Sequence, residues 1–317
     1  MANRNILISG GAGFIGSHFV DSLTQAGISV LALGRKPYSS LSALKQRLLS
    51  KAVYKQLDMK EIHLIKHDAN ELMGTDLSQC VFINLAWGGV DRLSDLNINA
   101  QMNNVAWSVS ALNVAKEIGC KKFVQIGSSI EYGKLKSPQK ENKKNLQKTY
   151  SFYGKAKLLS TRFILSLYKK YNFPATILRL YLVYGPMQDP NRVIPIVIIN
   201  AIQNKKFDCS DGLQLRDFTY IDDVVEAIIK TLKNKDTSGQ IINIGQGKPV
   251  SVKKVINKIC KLLNSGRPQF GKIKFRKDEI KNLYPSIIKA KKVLNWTPKT
   301  GIISGLKKTI KYYKKMD

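Results

Sequence analysis

The sequence predicts an α/β fold, a doubly wound parallel sheet with a smaller C-terminal α/β part. Three observations carry this. A short apolar strand, Asn5 to Ser9, runs straight into Gly10-Gly11-Ala12-Gly13-Phe14-Ile15-Gly16 and a helix-like Ser17 to Gln25. Short apolar runs then alternate with helical patterns through the first half of the chain, the rhythm of βαβ units. The 317 residues, 44% hydrophobic and 9% aromatic, are enough for one large or two interlocked domains.

Taken in order, the first element already implies a ligand. Glycines permit a tight turn and a close approach of backbone to a pyrophosphate, and the helix behind them presents unpaired N–H groups. The segment fits G-x-G-x-x-G from Gly11 and G-x-x-G-x-x-G from Gly10. Between a strand and a helix, this is the fingerprint of a Rossmann-type dinucleotide site. The second strand, Ser29 to Leu33, ends where an acid would bind the adenosine ribose of NAD. Here Gly34-Arg35-Lys36 follows instead. Arg35 can reach a 2′-phosphate, so NADP(H) is the expected cofactor and NAD(H) the alternative.

Further along, Ile62 to Lys66 reads as a strand ending in Asp68-Ala69, and Val81 to Ala86 as another. A long helical pattern spans Asn97 to Ile118, and Lys122 to Gly127 is a strand ending at Ser128-Ser129. In a parallel sheet, ligands gather at such C-terminal strand ends. From Tyr150 to Tyr171 no proline interrupts apolar residues at helical spacing, so Tyr153 and Lys157 share one helix face. A lysine one turn from a tyrosine can lower the phenol below its ordinary value of about 10 and make it a usable acid or base. The same spacing at Tyr132 and Lys136 is broken by Gly133 and Pro138.

Composition narrows the class. No apolar run approaches the roughly 18 residues of a membrane span, and the glycine-rich start reads as no signal peptide, so a cytoplasmic location is expected. Cys80, Cys120, Cys209 and Cys260 are far apart, and with only three histidines no metal site is expected. The net charge of +30 raises nucleic acid as a partner. Only ten of the 52 basic residues are arginine, however, and the lysines are spread over the whole chain. A general lysine bias accounts for the charge better than nucleic-acid binding does.

These residues together carry a resemblance. The chain is similar to the extended short-chain dehydrogenase/reductases of the NDP-sugar epimerase, dehydratase and reductase group. The motifs follow the family's order: the glycine loop, Asp68-Ala69, Asn84-Leu85-Ala86, Asn104, Gly127-Ser128-Ser129, Tyr132-Gly133 and Tyr153-Gly-Lys-Ala-Lys157. Arg179 with Val183-Tyr184-Gly185-Pro186, Arg216-Asp217-Phe218, Asn243-Ile244-Gly245 and Leu294-Asn295-Trp296 complete it. The resemblance implies a Rossmann domain over 1–185, with 217–247 returning to it, and a nucleotide-sugar-binding domain over 186–216 and 248–317. It implies Ser128, Tyr153 and Lys157 as catalytic residues, with Lys157 also on the nicotinamide ribose. Gly10, Gly13, Phe14, Ile15, Gly16, Arg35, Asp68, Ala69, Leu85, Ala86, Asn104 and Leu180 would bind the cofactor. Trp87, Ser129, Arg216 and Arg276 would meet the substrate, the two arginines gripping its pyrophosphate. Arg276-Lys277-Asp278 is shorter than the family's usual arginine-to-acid spacing. A homodimer through the Asn97 and Tyr150 helices is the family expectation.

The departures select among activities. The 4,6-dehydratases carry a proton-abstracting glutamate two residues after the Ser/Thr, and that position is Ile130. Glu131 is one residue late and should point elsewhere. Two enzyme readings stay open, an NADPH-dependent 4-ketoreductase of a nucleotide-linked 4-keto-6-deoxyhexose and an NAD-dependent 4-epimerase. Arg35 favours the reductase. An RNA-binding Rossmann protein is the competing class, and the Ser128, Tyr153 and Lys157 set speaks against it, because a binder has no need of that spacing.

Overall fold

The computed structural model describes residues 5–74, 80–90, 97–141, 149, 151–274 and 279–315. It divides into two compact units, Met1–Gly133 with Asn142–Arg179 and Ile228–Ile242, and Lys134–Glu141 with Leu180–Ala227 and Asn243–Asp317. Residues 134–141, 180–185, 217–227 and 243–247, expected with the nucleotide-binding part, group with the second unit.

The first unit is built on β1 (Ile6–Ser9), α1 (Phe14–Gln25), β2 (Val30–Gly34), α2 (Ala43–Leu49), β3 (Val53–Gln56), α3 (Ile65–Met73), β4 (Val81–Asn84), α4 (Ile98–Glu117), β5 (Lys122–Ser128), α5 (Phe152–Tyr171) and β6 (Ala175–Leu180). The strands form one seven-stranded sheet in the order Ile241–Ile244, β6, β5, β4, β1, β2, β3. β1 pairs in parallel with β2 and β4, β2 with β3, and β4 with β5. Every residue of β1, β2, β4 and β6 is buried, so both faces of the sheet are covered, as parallel strands require. On one side Leu7, Leu31, Phe82, Phe123 and Ile177 belong to a core shared with Ile62, Ala69, Ala111 and Ile164.

Across the C-terminal strand ends runs a buried polar ladder. The Ser9 hydroxyl donates to Asn84 Oδ1 at 2.5 Å, and Asn84 Nδ2 donates to Gln125 Oε1 at 2.8 Å. Register places these three residues side by side on β1, β4 and β5. Each buried polar group thus finds a partner, which locks the edge where the loops depart.

One expected strand is helical. Ile62 to Lys66 lies in a 3₁₀ turn, Met59–Leu64, that continues into α3, while the third strand is Val53–Gln56. Ile62, Ile65 and Ala69 are buried at helical spacing. Asp68 is therefore on a helix, where its carboxylate takes the Lys55 ammonium at 2.7 Å.

In the second unit Leu215–Arg216 is the middle strand of three, antiparallel to Val250–Ser251 and parallel to Asn282–Leu283. Two buried aspartates pin its loops. Asp217 accepts the Gln246 and Gly247 N–H groups, both at 2.7 Å, and Asp223 accepts those of Lys299 and Thr300, both at 3.0 Å. Among the described residues no helix is long and apolar enough to cross a membrane, and no group of His, Cys, Asp and Glu could hold a metal ion.

Candidate active site

The loop after β1 is shaped by what glycine lacks. Gly10 has φ +73°, and a Cβ there would lie 2.8 Å from the Ala86 nitrogen. A Cβ on Gly16 would lie 2.2 Å from the Gly10 carbonyl oxygen. The loop is closed by the Gly13 N–H, which donates to that same oxygen at 2.9 Å. α1 then starts at Phe14 with no side-chain cap and no acid in its first turn. Its leading N–H groups and positive dipole end suit a pyrophosphate, so the residues present fit a dinucleotide. The close approach of Gly10 to Ala86 brings Leu85 and Ala86, just past β4, against the same loop.

At the end of β2, Gly34 is hemmed in by Tyr54, whose hydroxyl would sit 2.2 Å from an added Cβ. That hydroxyl donates to the Lys36 carbonyl at 2.7 Å, fixing the turn that carries Arg35 and Lys36, both exposed. The adjacent strand end is Leu57-Asp58, tied to β2 by the Leu57 N–H on the Gly34 carbonyl at 2.9 Å. Asp58 therefore occupies the strand-end place that sequence reading had given to Asp68. No apolar run marks β3, and its residues are exposed or half-buried, so the position was hard to find from sequence.

Tyr153, Lys157 and Trp87 come together. Lys157 is buried, and its Nζ donates to the Ile126 carbonyl at 2.8 Å. The same Nζ lies 3.8 Å from the centroid of the Trp87 ring, a cation–π contact. Trp87 also meets the Tyr153 ring edge-to-face at 6.1 Å. Burial pushes the Lys157 ammonium down to about 7, with the Glu131 carboxylate opposing the shift. The indole is itself anchored, Nε1–H donating to Gln101 Oε1 at 3.0 Å while Gln101 Nε2 donates to the Gly89 carbonyl at 2.7 Å. Asn104 accepts the Gly88 N–H at 2.8 Å and returns a bond to its carbonyl at 2.9 Å, so α4 holds the whole Trp87–Gly89 segment. Gln101 carried no signal in the sequence beyond its place one turn before Asn104.

Ser128 ends β5 and caps the short 3₁₀ turn Ser129–Tyr132. Its Oγ accepts the Ile130 N–H at 3.3 Å, which leaves the hydroxyl hydrogen to donate. Ser129 is buried. Ile130 packs where Gly154 passes, an added Cβ there lying 2.8 Å from Ile130 Cγ2, so an apolar group stands one residue from Tyr153. Glu131 turns the opposite way and is fully buried. It accepts from Arg179 Nε and Nη2 at 2.9 and 2.7 Å and from Thr161 at 2.8 Å. Burial pulls the Arg179 guanidinium down, and Glu131 and Tyr132 together more than reverse it. Arg179 also lies over the Tyr132 ring, 4.3 Å from its centroid.

Of the remaining predicted residues, Leu180 is the buried last residue of β6. Arg216 is in the second unit, its guanidinium paired with Glu279 and donating to the Leu215 carbonyl at 2.9 Å. Arg276 lies outside the described residues.

Known proteins resemble this chain in sequence and fold. Residues 6–245 match the model of the NAD dependent epimerase/dehydratase family. Human dTDP-D-glucose 4,6-dehydratase is 30% identical over 98% of this chain and 90% of its own length. The UDP-glucuronate 4-epimerase of Thermodesulfobacterium geofontis (strain OPF15) is 29% identical over 97% and 95%. Among solved structures, the UDP-glucose 4-epimerase of Thermotoga maritima with UDP-glucose superposes with a TM-score of 0.88 at 26% identity, covering 99% of both chains. The Bacillus cereus UDP-glucuronic acid 4-epimerase in complex with UDP-glucuronic acid and NAD does so at 0.85 and 26% identity, covering 99% of this chain and 100% of that one.

Proposed function

The chain belongs to the NAD dependent epimerase/dehydratase family, and within it we propose that it is an NADPH-dependent 4-ketoreductase acting on a nucleotide-linked 4-keto-6-deoxyhexose. As an NAD(P)-dependent enzyme it draws its hydride from the nicotinamide when that cofactor is bound. The observation that carries the reading is the end of β2. Gly34 stands where an acid would hold a ribose hydroxyl, and exposed Arg35 and Lys36 follow it, which fits a 2′-phosphate. A phosphorylated dinucleotide that exchanges each turnover serves net reduction.

The residues then divide the work. The Ser128 hydroxyl donates to the C4 carbonyl oxygen of the sugar and orients it. Tyr153 donates to the same oxygen and gives up its proton as negative charge builds there. Lys157, held on the Ile126 carbonyl, keeps a positive charge beside the phenol and binds the nicotinamide ribose. Trp87 forms an apolar wall against Tyr153 and Lys157, suited to a deoxygenated sugar face. The glycine loop, Phe14, Ile15, Leu85, Ala86, Asn104 and Leu180 would hold the dinucleotide, with Asp58 rather than Asp68 and Ala69 beside its adenosine. Ser129 would support the sugar, and Arg216 and Arg276 its pyrophosphate. The dehydratase named among the relatives would need a base in the place of Ile130, and Glu131 is committed to Arg179. Exposed apolar residues on α4 (Ile98, Met102) and α5 (Phe163, Tyr171) fit a homodimer, and deoxysugar supply for a surface polysaccharide fits a cytoplasmic enzyme.

The test is nicotinamide absorbance on mixing enzyme, NADPH and CDP-, GDP- or dTDP-linked 4-keto-6-deoxyhexose, with oxidation expected for at least one. An absence of oxidation with all of them refutes the reductase. The similarity to UDP-glucose 4-epimerase favours the second reading, and NAD released on denaturing the purified protein would favour that alternative over the reductase.

A further inference from the structure

Glu131 has a role that a displaced dehydratase base would not need. Its two carboxylate oxygens face different elements. Oε1 accepts the backbone N–H of Ser128 at 2.8 Å, and Oε2 accepts the Thr161 hydroxyl at 2.8 Å and the Arg179 guanidinium at 2.7 and 2.9 Å. Ser128 ends β5, Arg179 is on β6, and Thr161 is on α5 one turn beyond Lys157. One fully buried carboxylate thus ties the strand end bearing Ser128 to the helix bearing Tyr153 and Lys157. Gly127 makes room for it, since a Cβ there would lie 2.5 Å from Glu131 Oε1.

We infer that Glu131, braced by Arg179, is a positioning residue that sets the spacing between Ser128 and the Tyr153–Lys157 pair and adds its negative charge to the surroundings of Lys157. Side chains on one strand end and one helix reach a common oxygen only if the two elements keep a fixed separation, and misplacement by about 1 Å can cost on the order of a hundredfold in rate. A buried ion pair is a poor source of net stability but a stiff and directional link. The charge acts as well as the geometry. The Lys157 ammonium touches the Trp87 ring and the Ile126 carbonyl, both of which favour its charged form, and the Glu131 carboxylate adds its attraction against the effect of burial.

This inference rests on the proposed roles of Ser128, Tyr153 and Lys157, so the experiment reads cofactor binding separately from turnover. Glu131→Gln, Thr161→Val and Thr161→Ser are compared with the wild type. NADPH affinity, or NADH affinity if that is tighter, is titrated by nicotinamide fluorescence across pH, and turnover is measured on the keto-sugar that the wild type reduces. Glu131→Gln is expected to bind dinucleotide normally only well below pH 7, losing affinity at lower pH than the wild type, and to lose kcat about tenfold or more with little change in KM. Thr161→Val should lose kcat in the same way while Thr161→Ser keeps it. A folded Glu131→Gln protein with wild-type kcat, or with the pH dependence of binding unmoved, overturns the inference. Should Glu131→Gln fail to fold, equal kcat in Thr161→Val and the wild type overturns it, and a loss rescued by serine sustains it. A wild type that reduces no keto-sugar refutes the reductase instead, and the shift in dinucleotide binding then decides the role of Glu131 alone.

Discussion

Replacing Arg35 by serine tests the cofactor reading at its source. Arg35 is exposed on a turn held by the Tyr54 hydroxyl, with Lys36 beside it. A 2′-phosphate in that turn carries close to two negative charges at neutral pH. Coulomb attraction between unit charges at about 4 Å lies between about 1 kcal/mol in water and about 4 kcal/mol near a protein surface. A charge-assisted hydrogen bond contributes about 1.5–3 kcal/mol. Because Arg35 is open to solvent, the lower part of these ranges applies, and Lys36 retains part of the field. A loss of about 2 kcal/mol is expected, or roughly 30-fold in NADPH affinity. NADH affinity should change less than about twofold, since that ligand brings no phosphate to the turn. Fluorescence titration of both dinucleotides at two salt concentrations measures this. Wild-type preference for NADPH should also weaken as salt rises, because exposed charges are screened beyond about 10 Å at 0.1 M. An Arg35→Ser protein with an unchanged NADPH-to-NADH ratio refutes the assignment, and the basic pair is then a solvated surface feature.

Three further outcomes follow from the geometry. Tyr153→Phe removes the proposed proton donor but keeps the ring contact with Trp87, so kcat should fall by about 10²–10⁴ while dinucleotide affinity is retained, as steady-state and binding measurements together will show. Lys157, pushed down to about 7 by burial, is protonated below that value and neutral above it, so kcat is expected to decline as pH rises through neutrality. A rate that stays flat to pH 9 would contradict that assignment. Lys122→Met deserts the Thr231 and Asn234 carbonyls, which accept its ammonium at 2.7 and 2.6 Å just where the helix Ile221–Lys233 ends. Losing buried hydrogen bonds from a charged donor costs about 1.5–3 kcal/mol each, so thermal denaturation should register a loss of about 2–4 kcal/mol without a change in cofactor preference.

The sequence by itself determined the fold class and the family. The glycine loop between strand and helix, Ser128 at a strand end and Tyr153 one turn from Lys157 are local patterns, and local patterns are legible when neighbours in sequence are neighbours in space. The tertiary structure decided what depends on contacts between distant segments. Ile62 to Lys66 is too short an apolar run to separate strand from helix, and only the packing of Ile62, Ile65 and Ala69 against the sheet makes it helical. The third strand, at the sheet edge, has no buried face to mark it, so the sequence pattern points to Asp68 and not to Asp58 as the strand-end acid. Nothing local joins Glu131 to Arg179, 48 positions away, or Trp87 to Lys157. Glu131 was predicted to point away from the site because successive side chains alternate. The fold supplies the reason it is a glutamate, since the buried guanidinium of Arg179 requires a charge opposite it.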